Sequence, residues 1–482
     1  MDVFERACRI ASSYREQVGI RPVGASASRE ELLEALSGPL PEKGEDPALA
    51  LESFARAVDP GLVASAGPRY FGFVTGSGLP QAVAADWLVS AWNQNASFQI
   101  ASPAAAAVEE VAIAWLVELL GLPAGVSCGF VTGGQTANFT CLLAARNEVL
   151  SRAGWDVEAR GLCGAPRVRI VAGEEAHISM LAALRMLGFG TDCLEKVEVD
   201  GQGRMVPSAL RRTLDAPPFG LRPSQAKPAP PFADAQGPII VCAQAGNVNT
   251  GAFDSLGEIV EIARERSAWV HVDGAFGLWA AVSPWLRGLL SGHERADSWA
   301  TDAHKWLNVP YDCGIAFTAH PEAHRRATTA SASYFALGEA RNPFEWVPEA
   351  SRRGRAIPVY VALRTLGRRG VAHLVERSCA LARRMAAALA SQPDVTILNN
   401  VVLNQVLVRF GDSDQETAAV IAEVQREGTC WAGGTRWQGR TAMRLSISGY
   451  GTSEPDVDRS AAAIRRVHEK VAGERRGIGR VT

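Results

Sequence analysis

Between about residues 80 and 320, short apolar runs alternate with longer runs whose hydrophobic positions recur at helical spacing. The apolar runs 129–132, 168–172, 239–244, 269–272 and 314–318 predict strands, and the segments 136–150, 178–187 and 256–267 predict helices between them. Alternation of this kind predicts an α/β domain around a mainly parallel sheet with helices on both faces. Residues 1–75 read as short helices joined by Pro/Gly-rich turns and offer little core of their own, so they predict an arm packed on another surface. Residues 217–237, rich in Pro, Ala and Gln, read as an exposed loop. A long helix over 357–390, strands at 395–398, 404–409 and 442–448, and an intervening helix predict a smaller α+β domain. The expected division is an arm at 1–75, a large domain at 76–345 and a small domain at 346–482.

Composition narrows the function classes. The chain has 482 residues, 47% of them hydrophobic and 21% charged, with a net charge of −2. That balance gives no sign of a nucleic-acid or membrane-surface partner. Nine cysteines are dispersed, without a Cys-x-x-Cys pair or a Cys/His cluster at metal spacing. Such usage reads as reduced thiols in a cytoplasmic protein, with no metal site expected. The opening residues 1–6 carry acids and no apolar core, unlike a signal peptide, and the apolar stretch 111–122 is too short to span a bilayer.

Of the 49 lysines and arginines only five are lysines, and one of them, Lys305, lies in the apolar run 303–310. A buried lysine must lose its proton, find a carboxylate or react, and an amine can form a Schiff base where a guanidinium cannot. A snorkelling side chain is the plain alternative.

Three further segments carry candidate chemistry. The run 129–138 reads as strand, glycine turn and helix, and its Gly133-Gly134-Gln135-Thr136 turn can bring backbone N–H groups to a phosphate, or be an ordinary turn with Thr136 as a cap. In 269–277 an aspartate, Asp273, ends an apolar strand where parallel sheets open onto their ligand crevice; it can hold a pyridine-type nitrogen protonated, or cap a helix. His177 also follows a strand and opens a helix, where a lone histidine more often caps or packs than catalyses, although a phosphate turn, a carboxylate and a lysine at the same sheet edge favour function.

Glycine turn, strand-end histidine, strand-end aspartate and lysine, in that order, resemble the fold-type I enzymes that use pyridoxal 5′-phosphate. More narrowly, the chain resembles the group II amino-acid decarboxylases over roughly 65–470, most specifically in the run 297–306 with its His304-Lys305-Trp306 triplet. The resemblance implies a carboxy-lyase that converts an L-amino acid to its amine and carbon dioxide through a Lys305 internal aldimine. It implies that Asp273 pairs with the pyridine nitrogen, that Gly133, Gly134, Gln135 and Thr136 bind the phosphate, and that His177 stacks on one ring face with Ala275 on the other. His304 would assist beside Lys305, and Tyr334 would return the proton to the substrate carbon, since relatives that make aldehydes tend to carry phenylalanine there. The basic run Arg352-Arg353-Gly354-Arg355 would hold a loop or the phosphate, or be a solvated charge run. The substrate pocket would draw on Phe73 and Thr75 and on Asn95, Ser97 and Phe98, a polar set for an aromatic substrate. The family also implies a homodimer with interfacial active sites, clasped by the N-terminal arm.

Two positions depart from the family pattern. Asp302 stands where many decarboxylases have asparagine near the phosphate, and an acid there should weaken anion binding unless paired or protonated. Val248 replaces a threonine, leaving Asn247 or Asn249 to meet the ring hydroxyl. Transamination or another Cα lyase step on the same fold is the rival reaction, and a non-enzymatic interaction protein the rival class.

Overall fold

The computed structural model describes residues 2–217, 237–329 and 341–478. The expected loop at 217–237 therefore lies almost wholly outside the described residues, and Tyr334 lies outside them entirely. The chain forms two compact units, one of Gly78–Cys379 and one of Met1–Ser77 with Ala380–Thr482.

The Gly78–Cys379 unit is built on seven strands: β1 (Ser127–Val131), β2 (Arg169–Gly173), β3 (Leu194–Val197), β4 (Ile239–Gln244), β5 (Trp269–Asp273), β6 (Ser298–Asp302) and β7 (Gly314–Thr318). Their order is β1-β7-β6-β5-β4-β2-β3. β7 runs antiparallel to both its neighbours, and the other pairs are parallel. β1, β4, β5, β6 and β7 are buried along their whole length, as strands covered on both faces must be. That burial explains why the apolar runs were visible in the sequence. Two strands were not anticipated. β3 reads Leu-Glu-Lys-Val and lies at the sheet edge, and β6 reads Ser-Trp-Ala-Thr-Asp, whose hydroxyls and acid hide a fully buried strand.

The helix Gly134–Arg152 follows β1 and buries Leu142, Ala145, Val149 and Leu150 in a cluster with Ile170, Ile240 and Trp269. At Gly314 a Cβ would come within 2.4 Å of the Gly133 carbonyl, so only glycine lets the turn after β1 pack over the start of β7. Because β1 points the same way as β6, the carboxyl ends of β1, β6, β5, β4 and β2 share one edge.

In the other unit the helices Val3–Gln17, Arg29–Leu36 and Pro47–Val58 bury no residue completely. Its sheet comprises β8 (Val395–Ile397), β9 (Gln405–Phe410), β10 (Gly433–Trp437) and β11 (Arg440–Ser446), all antiparallel in the order β10-β11-β9-β8. Residues 69–71 join this sheet region: Arg69 donates to the carbonyls of Thr429 and Gly19, and the Phe71 N–H to that of Trp431. The two units meet in sequence at 379/380, inside the helix Ala356–Ala390. The first part of that helix stays with the larger unit, where Glu376 accepts from the Ser283 hydroxyl at 2.6 Å.

Candidate active site

Two of the strands that end at the shared edge do so on candidate residues. Asp273 closes β5 and Asp302 closes β6, two strands in parallel register with Asp273 opposite Ala300. The chain after Asp302 turns sharply, and the turn brings Lys305 Nζ to 3.1 Å from Asp302 Oδ2. Asp302 is 1% exposed, and the Lys305 side chain, at 19%, is the partly open member of a buried turn. Lys305 is therefore no snorkelling cation. The other described lysines, Lys43, Lys196 and Lys470, are exposed.

The Asp302 departure finds its resolution here, because the acid is paired. His304 Nδ1 lies 3.5 Å from the other carboxylate oxygen, Oδ1, outside hydrogen-bonding geometry, and both atoms are buried without a hydrogen-bond partner. Burial lowers the His304 pKa from its usual value, Asp302 opposing and Lys305 adding to the shift. Its ring packs on Tyr311 with centroids 4.3 Å apart. The indole N–H of Trp279 holds the Asp302 carbonyl at 3.0 Å.

The glycine turn closes over the same carboxylate. A Cβ at Gly134 would lie 2.6 Å from Asp302 Oδ2 and 3.7 Å from Ala275 Cβ, so Gly134, Asp302 and Ala275 line one small space. The helix that begins at Gly134 has no side-chain cap, which leaves its first N–H groups for another acceptor. Thr136 shares a 2.8 Å hydroxyl contact with Thr132, and Gln135 is exposed beside Met186.

Other expected residues serve structure in ways the sequence did not separate from function. His177 is the N-cap of Ile178–Met186, its Nδ1 accepting from the Ser179 N–H at 3.2 Å and meeting Ser179 Oγ at 2.8 Å. Asn247 Oδ1 accepts from the N–H groups of Asn249 and Thr250, and its Nδ2 donates to Gln244 and the Glu175 carbonyl, so this side chain ties the end of β4 to the turn before His177. Asn95 Oδ1 accepts from the Arg352 N–H and the Ser97 hydroxyl; Ser97 is buried, and Phe98 packs on Phe344. Phe73 and Thr75 belong to the other unit, where Phe73 stacks on Trp431 and the Thr75 carbonyl accepts from Ser448.

The basic run is not a solvated face. Arg352 is buried against Glu109 at 2.6 Å, Arg353 pairs with Asp86 at 2.7 Å, and Arg355 with Asp312 at 2.8 Å. The sequence reading also passed over Asn138, His271 and Ser298, which link to one another behind Asp273. Strand periodicity held the signal, since His271 and Asp273 are two apart and share a face, and Asn138 lies one helical turn beyond Gly134.

A turn of two glycines, an uncapped helix start, unpartnered buried polar atoms and an accessible amine fit a cofactor with an anionic group and an aldehyde. Comparison with known proteins gives the same answer. The model of the pyridoxal-dependent decarboxylase conserved domain matches residues 30–410. An aromatic-L-amino-acid decarboxylase of Bacillus atrophaeus is 28% identical over 84% of this chain and 81% of its own length. An L-2,4-diaminobutyrate decarboxylase of Rhizobium meliloti is also 28% identical, over 87% of this chain and 81% of its own. The Oryza sativa TDC solved with PLP and tryptamine superposes with a TM-score of 0.88 at 22% identity, over 97% of both chains, which confirms the fold-type I architecture. The chain belongs to the pyridoxal-dependent decarboxylase family: it is a pyridoxal-phosphate-dependent amino-acid decarboxylase, a carboxy-lyase.

Proposed function

We propose that Lys305 is the covalent attachment point for pyridoxal phosphate and that the shared strand edge is where an L-amino acid loses its carboxylate. The supporting observation is the Lys305–Asp302 pair, an amine held 3.1 Å from a buried carboxylate beside an uncapped glycine turn. Pyridoxal phosphate, when bound, supplies an aldehyde for an amine and a ring that accepts the electron pair released with carbon dioxide. This chain's residues position and tune. Gly133, Gly134, Gln135 and Thr136 present the helix start to the phosphate. Asp273 would take the ring nitrogen, and His177 and Ala275 would hold the ring between them. His304, neutral near pH 7 because burial lowers its pKa, can hold a proton beside Lys305.

Borohydride reduction of the loaded protein should leave the cofactor mass on the peptide containing Lys305. Lys305→Ala should lose both that mass and carbon dioxide release from a panel of aromatic, acidic, diamino and hydroxylated L-amino acids. Covalent cofactor in the alanine variant would refute the assignment, and the panel identifies the side chain.

A homodimer belongs to the same reading. The helix Pro80–Trp92 leaves Leu88 and Trp92, one turn apart, 47% and 53% exposed, an apolar face that a second copy would cover. Sedimentation at twice the chain mass is expected; a stable monomer with full activity would contradict it. A reducing, cytoplasmic setting accords with nine free cysteines, two of them exposed, and with the finding that no helix among the described residues is long and apolar enough to cross a membrane. Recovery of the native protein with disulfides would argue against that setting.

A further inference from the structure

Behind Asp273 a file of polar side chains runs through the core from β6 to the helix Gly134–Arg152. Trp269 Nε1 donates to Ser298 Oγ at 2.9 Å, and Ser298 Oγ lies 3.0 Å from His271 Nδ1. His271 Nε2 lies 2.9 Å from Asn138 Oδ1, and Asn138 Nδ2 donates to Asp273 Oδ2 at 3.1 Å and to Ser179 Oγ at 3.3 Å. Trp269, Ser298, His271 and Asn138 are all 0% exposed. Four buried polar groups in single file carry a desolvation cost that packing alone does not explain.

The file has a direction. The Asn138 amide sets it: Nδ2 donates to Asp273 and Oδ1 faces His271 Nε2, so the ring proton belongs on Nε2 and Nδ1 is left to accept from the Ser298 hydroxyl, which itself accepts from the Trp269 indole N–H. Burial lowers the His271 pKa to about 4, so the ring is neutral and has one N–H to give. Reversing the file would set Asn138 Oδ1 against Asp273 Oδ2, two acceptors at 3.1 Å, an arrangement only a protonated Asp273 tolerates. The donors to Asp273 among the described residues, Asn138 Nδ2 and the Ala275 N–H at 3.2 Å, are both neutral.

We propose that Asn138, oriented by His271 and Ser298, is a positioning residue that keeps Asp273 an ionised acceptor, so that the cofactor's ring nitrogen is the cation it pairs with. This rests on the assignment of Asp273 to the ring nitrogen. It predicts that removing Asn138 weakens binding only of ligands that possess that nitrogen.

The test is equilibrium dialysis of the full-length protein with pyridoxal phosphate and with its 1-deaza analogue, in which a carbon replaces the ring nitrogen. Asn138→Ala should reduce affinity for pyridoxal phosphate about tenfold, the scale of a charge-assisted hydrogen bond, and leave the analogue within about twofold. Asn138→Asp, close in shape, should lose the same selectivity and serves if the alanine variant folds poorly. His271→Gln retains an N–H for Asn138 and should preserve the selectivity, whereas His271→Leu should lose it. Equal losses for both ligands, or none for either, would overturn the proposal and leave these residues to packing. Equal affinity of the unmutated protein for the two ligands would instead remove Asp273 from the ring nitrogen, and this inference with it.

Discussion

A lysine in apolar company is costly unless it has a partner, and at Lys305 that partner is Asp302, three residues upstream on the end of β6. The same carboxylate that departs from the family pattern therefore balances the amine the family needs. The sequence exposed Lys305 and Asp273 because each interrupts an apolar run with a group that has to be satisfied. It could not show that His177 caps a helix, nor that Asn247 closes a turn, because capping and ligand binding select the same residue types at strand ends. Tyr334, the expected proton donor, is tested chemically. Tyr334→Phe should divert product from amine towards aldehyde in aerated buffer, and an unchanged amine yield by chromatography would remove Tyr334 from the reaction.

Among the elements, those with one dominant period were legible and those with mixed chemistry were not. β4 and β7 lie at 239–244 and 314–318 as expected from uniform apolar runs, whereas β6, which delivers Asp302 to the site, is hidden by Ser298, Thr301 and Asp302 itself. The helix expected over 357–390 is present over Ala356–Ala390, broken at Gly367, where φ of 60° departs from helical geometry. The clearest tertiary surprise is the helix Pro103–Leu119. Its Glu109 is buried and holds Arg352 at 2.6 Å and Arg341 at 3.0 Å, while Arg341 also donates to the Cys128 carbonyl on β1. Glu109→Ala leaves the buried Arg352 guanidinium without its anion and should cost about 3–5 kcal/mol in urea unfolding. A loss under about 1 kcal/mol would mean that the pair does not hold these segments together.

At the scale of the molecule, buried titrating groups set how stability responds to acid. Burial lowers the pKa of His271 and His324 to about 4 and raises that of Asp254 to about 6. Below about pH 6.5 the unfolded chain binds histidine protons that the folded chain refuses, so each histidine contributes a loss of stability as pH falls towards 4. Asp254 acts in the opposite sense, taking up its proton in the folded chain below about pH 6, and offsets one histidine. Equilibrium unfolding should show a net loss on the order of 3 kcal/mol between pH 6.5 and 4. A flat or rising profile would place these histidines in contact with solvent. From the sequence alone came the alternation of strands and helices, the order of glycine turn, histidine, aspartate and lysine, and, through the family resemblance which that order carries, the expected chemistry. The first two depend on local spacing and on the cost of placing a charge among apolar neighbours. Tertiary structure alone decided which carboxylate meets Lys305, that the arginine run is paired, where the two units divide, and which neutral file stands behind Asp273. Those contacts join residues up to hundreds of positions apart, as Glu109 and Arg352 are, and only the packing of the sheet and its helices chooses such partners.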